Sequence, residues 1–161
     1  MLFQDKLHSK LFTTQSITNV VKTWKEENKK IVFTNGCFDI LHKGHVEYLS
    51  RARDLGDKLI IGLNTDNSVK QQGKAPNRPI NNEEARAILL SALECVDAVI
   101  YFEEQTPLNL IKLIMPNVLV KGSDYTPENI VGYKEVTENG GIVKTIDFVQ
   151  GFSTTSILNK I

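Results

Sequence analysis

The sequence predicts a three-layer α/β/α sandwich on a five-stranded, mostly parallel sheet, and three observations carry that prediction. Short β-branched or apolar runs recur five times: Ile31 to Phe33, Lys58 to Asn64, Val96 to Phe102, Val118 to Val120 and Ile142 to Phe148. Stretches with apolar residues at helical spacing lie between them. Strands alternating with helices imply right-handed crossovers that cover both faces of a parallel sheet. At 161 residues the chain is long enough to bury one core of its own.

Taken in order, residues 1–15 show no clear period and read as a short helix or a loosely held arm. Ile17, Val20, Val21 and Trp24 then repeat at helical spacing behind Ser16, a good N-cap, in a helix ending near Asn28. The first strand, Ile31 to Phe33, runs into the turn Thr34 to His45. From Val46 the positions Tyr48, Leu49, Ala52 and Leu55 mark a helix that Gly56 stops. After the second strand, Asn64 and Asp66 stand at a strand's C-terminal end, where open α/β sheets bind ligands. Asp66 equally suits the cap of a short helix. Val69 to Pro79 is a polar loop with Lys70, Lys74 and Arg78; its lysines suit either a phosphate clamp or a solvated surface. Asn82 caps a helix whose expected buried stripe is Ala85, Ile88, Leu89, Ala92 and Leu93, with Arg86 off the stripe. Thr106-Pro107 opens a helix that closes before Pro116, and a further helix is expected from Thr126 to Gly140-Gly141. Lys121-Gly122-Ser123-Asp124 follows the fourth strand. Ser153, Thr154 and Thr155 crowd the start of a terminal helix, as a phosphate cradle or as a simple cap.

Composition excludes several classes. Basic and acidic residues number 19 each, which argues against bulk binding to nucleic acid or a membrane surface. No stretch approaches the roughly 20 apolar residues that span a bilayer. Cys37 and Cys95 lack metal-ligand spacing, and the N-terminus lacks the pattern of a signal peptide, so a cytoplasmic location is expected.

The chemistry centres on the turn. His42 and His45, three apart at a helix start, share a face, so both imidazoles can address one anion near the positive end of the helix dipole. A structural pair or an incomplete metal site are the alternatives, and no third ligand is evident. Cys37 is adequately read as a small buried hydrophobe. Neither a dinucleotide fingerprint nor a Walker loop is present. Two imidazoles, several cations and hydroxyl-rich helix starts at one sheet edge suit nucleotidyl transfer, where catalysis is mostly positioning and charge stabilisation.

Asn35-Gly36-Cys37-Phe38-Asp39-Ile40-Leu41-His42-Lys43-Gly44-His45 resembles the signature of the cytidylyltransferase-like nucleotidyltransferases, whose core is His-x-Gly-His. The resemblance runs from about Lys30 to Ile161 and includes Ser153-Thr154-Thr155. Asn77-Arg78-Pro79, Leu119 to Tyr125 and Lys134-Glu135-Val136 look most similar to the heptose 1-phosphate adenylyltransferases. The resemblance implies a Rossmann-like fold of the HIGH type, with residues 1–29 a helical segment and residues 30–161 the nucleotidyltransferase domain. It further implies a stand-alone, homodimeric enzyme that joins ATP and D-glycero-β-D-manno-heptose 1-phosphate into ADP-heptose and pyrophosphate, with Mg²⁺ brought by ATP and no metal held by protein side chains. His42, His45 and Lys74 are implied as catalytic. Thr34, Asn35, Gly36, Phe38, Gly44, Asn64, Asp66, Arg86, Gly122, Asp124, Ser153, Thr154 and Thr155 are implied on the nucleotide, and Asp39, Arg78 and Lys121 on the acceptor. A glycerol 3-phosphate cytidylyltransferase and an inactive nucleotide-binding module are the competing readings; nucleotide preference and pyrophosphate release separate them.

Overall fold

In the computed structural model, which describes residues 1–73 and 75–161, six strands form one parallel sheet. In chain order the elements are α1 (Phe3–His8), β1 (Leu11–Phe12), α2 (Thr14–Glu26), β2 (Ile31–Gly36), α3 (Lys43–Arg53), β3 (Lys58–Asn64), α4 (Asp66–Gln71), α5 (Glu83–Ser91), β4 (Ala98–Phe102), α6 (Leu108–Ile114), β5 (Val118–Gly122), α7 (Tyr133–Glu138), β6 (Ile142–Ile146) and α8 (Thr154–Leu158). The sheet order is β1-β4-β3-β2-β5-β6. The sandwich class matches the sequence reading, with one more strand. That strand, β1, is two residues long, too short to show a period, and joins the edge through Leu11 opposite Val99.

Alternation along each central strand divides the core between the two faces. Ile31, Phe33, Ile60, Ile100 and Leu119 pack with Ile17 and Val21 of α2 and with α6. Val32, Leu59, Ile61, Val99, Val118 and Val120 pack with Leu49 and Ala52 of α3 and with Leu90 of α5. Because both faces are covered, the strands read as continuous apolar runs. From β2 the chain steps one way to β3 and β4 and the other way to β5 and β6, so the order reverses between β2 and β5. At such a point neighbouring connections diverge and leave a crevice at the carboxyl ends of the strands.

Two helices differ from expectation. On α5 the buried residues are Arg86, Ala87, Leu90 and Ser91, whereas Leu89 is 44% exposed. The true stripe is half polar, so hydrophobic periodicity misplaced it. The helix expected across residues 126–140 is broken into a 3₁₀ turn at Pro127–Asn129 and α7. Gly132 lies between them at φ 90°, outside helical range. No helix of the described residues is long and apolar enough to cross a membrane.

Candidate active site

At the switch point a cavity of about 510 Å³ opens, walled by the β2 turn, the start of α3, the end of β5 and the segment leading into α8. His42 is the N-cap of α3, and His45 lies in its first turn. Their rings stack with centroids 3.8 Å apart and planes 20° from parallel, and the Phe38 ring meets His45 edge-on at 5.2 Å. Gly44 is required for this approach: a Cβ there would lie 2.9 Å from the His42 ring and 3.2 Å from Cβ of Phe152. Both Nδ1 atoms are buried without a hydrogen-bond partner among the described residues.

Burial holds the His42 imidazole below its usual range. Burial first, then the neighbouring His42, push His45 down to about 4, against a smaller opposing effect of the Ile40 backbone. Both rings are therefore neutral near pH 7, stacked where two cations would repel. A base whose folded value is depressed is protonated more readily in the unfolded chain, so its contribution to stability is present above about pH 6.5 and lost as pH falls toward about 4. The melting temperature of the ligand-free protein is expected to fall across that interval, and the fall is expected to be shallower in His45→Gln.

The cavity gathers Asn35, Gly36, Phe38, Asp39, His42, Gly44, His45, Arg78, Lys121, Gly122, Asp124, Ser153 and Thr154 from the sequence-derived set. Ser153 Oγ accepts from the Ser156 amide at 3.0 Å and Ser156 Oγ from the Ser153 amide at 3.1 Å, so at Ser153 the capping role is the one observed. Thr155 is exposed and outside the wall. Lys74 lies outside the described residues.

Five assignments are corrected by geometry. Thr34 is fully buried, its hydroxyl 2.8 Å from the Tyr48 hydroxyl, and it is not among the residues that line the cavity. Arg86 is also fully buried. Its Nε donates to the Asn81 carbonyl at 3.0 Å, Nη1 to the Cys37 and Asn64 carbonyls at 2.8 Å, and Nη2 to Asp66 Oδ1 at 2.7 Å. One guanidinium thus ties the β2 turn, the end of β3, the start of α4 and the loop before α5, and Asp66 serves as its partner instead of a ligand group. Asn64, 2% exposed, donates to Ser68 Oγ at 2.9 Å.

Asp39 lies at the cavity wall, but its carboxylate is taken up by Arg78 Nε and by the amides of Ile80 and Asn81 at 2.9 Å. It anchors the loop and is not available to an acceptor. Breaking a buried, hydrogen-bonded ion pair by removing one partner costs about 3–5 kcal/mol. Asp39→Ala is accordingly expected to lower the urea midpoint of unfolding strongly.

Sequence reasoning missed an aromatic lining. Tyr48, Tyr125, Phe148 and Phe152 line the cavity. Tyr48 was legible only as a helix core position and Phe148 only as the end of an apolar run, while Tyr125 and Phe152 lie in segments without a period. Burial pushes the Tyr48 phenol up to about 12, partly offset by its Thr34 hydrogen bond, so it stays neutral. The Phe148 ring covers Gly122, where a Cβ would come within 2.1 Å of Cζ. Lys43 Nζ sits 5.5 Å from the Phe152 ring centre and Lys121 Nζ 5.4 Å from that of Tyr125.

A parallel sheet with a histidine pair at the switch point, facing glycine-bearing strand ends and a hydroxyl-rich helix start, defines a nucleotidyltransferase. Residues 33–160 match the cytidylyltransferase-like family model, and the chain belongs to that family. It is 50% identical over 153 residues to the bifunctional protein HldE of Syntrophotalea carbinolica, covering 95% of this chain and 31% of that protein. It is 59% identical over 137 residues to HldE of Nitrobacter winogradskyi, covering 85% of this chain and 28% of that protein. The chain therefore spans about a third of the length of these curated relatives. Among solved structures, the lipopolysaccharide core biosynthesis protein of Thermoplasma volcanium superposes with a TM-score of 0.63 at 28% identity, over 75% of this chain and 97% of that one. Pantoate-beta-alanine ligase of Francisella tularensis shares the fold, with a TM-score of 0.62 at 14% identity over 94% of this chain and 72% of that one.

Proposed function

We propose that the protein transfers AMP from ATP to D-glycero-β-D-manno-heptose 1-phosphate, releasing pyrophosphate. The observation that carries this reading is the stacked, half-buried His42–His45 pair at a helix start in a cavity wide enough for a nucleotide. The helix start and the imidazoles supply N–H groups to the triphosphate and to the charge that builds on the α-phosphorus. The aromatic wall beside Gly122 suits a base face. Similarity to HldE and to a lipopolysaccharide core biosynthesis protein supports a sugar phosphate as acceptor.

Among the described residues no group of three or more His, Cys, Asp or Glu is arranged to hold an ion. Magnesium fits this site as a companion of the nucleotide phosphates, where it supplies charge neutralisation. Lys74 is proposed to close onto the phosphates.

Pyrophosphate release with ATP or CTP and a panel of phosphorylated acceptors tests the reading. Turnover is expected with ATP and heptose 1-phosphate; a preference for CTP with glycerol 3-phosphate would select the cytidylyltransferase reading instead, and tight nucleotide binding without release would favour an inactive module.

A further inference from the structure

We infer that the acceptor occupies a second cavity, across the β2 turn from the histidines, and that Gln72, Gln105 and Asn129 make the site selective for a polyhydroxylated phosphomonoester. The inference rests on the nucleotidyl-transfer reading above. This cavity, of about 380 Å³, shares Asn35, Gly36, Cys37, Lys121 and Tyr125 with the first, so the two spaces meet where β2 and β5 part. Neither histidine lines it. In phosphoryl transfer the attacking and leaving oxygens lie roughly in line across phosphorus. With the pyrophosphate held at the histidines, the attacking oxygen must arrive from the opposite side, where the second cavity opens.

The wall chemistry indicates what arrives. Five carboxamides line the cavity, and Lys121 is its one charged side chain among the described residues. Asn64 donates to Ser68 Oγ and Asn35 is shared with the first cavity, which leaves the exposed Gln72, Gln105 and Asn129; Gln72 Oε1 accepts from Cys37 Sγ at 3.5 Å and Asn129 Nδ2 donates to Thr126 Oγ1 at 2.6 Å, so each of these two still has polar groups to offer a ligand. A carboxamide donates and accepts hydrogen bonds, as a sugar hydroxyl does. Lys121 Nζ, 3.4 Å from the Asn35 carbonyl, stands at the junction and suits the acceptor's phosphate. Among the described residues the cavity carries no carboxylate or imidazole to act as a base. A phosphomonoester needs none: largely dianionic near neutral pH, its oxygen bonds to the α-phosphorus while the bond to the β-phosphate oxygen breaks and its electron pair leaves with pyrophosphate. An alcohol or ammonium nucleophile would have to shed a proton there.

The test compares the full chain with Gln105→Leu and Asn129→Leu, using ATP with a sugar 1-phosphate and with the shorter glycerol 3-phosphate. Each lost hydrogen bond of about 0.5–1.5 kcal/mol corresponds to roughly a two- to tenfold rise in KM for the sugar phosphate. KM for ATP is expected to stay within twofold, and KM for glycerol 3-phosphate, which has fewer hydroxyls to lose contacts from, is expected to rise less than KM for the sugar phosphate. A second readout is alkylation of Cys37 by iodoacetamide, followed by mass spectrometry of its peptide, which the sugar phosphate is expected to slow. Unchanged sugar-phosphate KM in both variants, or undiminished Cys37 alkylation, would overturn the inference. Wild-type protein that releases no pyrophosphate with any acceptor while the sugar phosphate still protects Cys37 would instead count against the transfer reading and leave the binding site standing.

Discussion

His45→Ala is expected to lower turnover by about a hundred- to a thousandfold, the usual cost of removing one preorganised donor to a developing oxyanion. The side chain sits in the first turn of α3, stacked on His42 and edged by Phe38, in a cavity and not in the apolar core. The fold is therefore expected to survive, with the ligand-free melting temperature at pH 7 unchanged or slightly raised, since a desolvated imidazole without a partner at Nδ1 is removed. Steady-state rates and a thermal melt on the same preparation check both halves. A variant that keeps more than a tenth of wild-type kcat would remove His45 from the reacting centre.

Arg86→Met is expected to destabilise the protein by about 3–5 kcal/mol, because it strips three carbonyls and the half-buried Asp66 carboxylate of their donor at once. Arg86→Lys is expected to fare little better, since one ammonium cannot span four acceptors that the planar guanidinium reaches from three nitrogens. Urea unfolding at pH 7 measures the loss as a shift in midpoint at constant slope. If Arg86 instead bound phosphate, the substitution would leave the midpoint in place and raise KM for ATP.

These two residues show why the sequence was legible in one place and opaque in another. His42 and His45 lie in one local motif, and spacing alone puts them on one helix face. The strands were equally legible, because burial on both faces makes Ile31 to Phe33 and Lys58 to Asn64 continuous apolar runs. Arg86 takes its role from the Cys37, Asn64 and Asp66 groups that the fold brings to it, and Asp39 from Arg78, Ile80 and Asn81. No local pattern encodes such distant partners, so both read as ligand groups when they are structural anchors. The same cause displaced the α5 stripe: Arg86 and Ser91 are buried, and a hydrophobic period does not count them. Leu11–Phe12 was missed for want of length, and the cavity's aromatic lining because Tyr48, Tyr125, Phe148 and Phe152 meet only through the fold.

Nucleotidyl transfer at the histidine pair is tested most directly by pyrophosphate release from ATP by wild-type and His45→Ala protein, with and without heptose 1-phosphate. Release that depends on the sugar phosphate, and falls by about two orders of magnitude or more in the variant, is the predicted result. Release that is absent in the wild type, or equal in the two proteins, would contradict it.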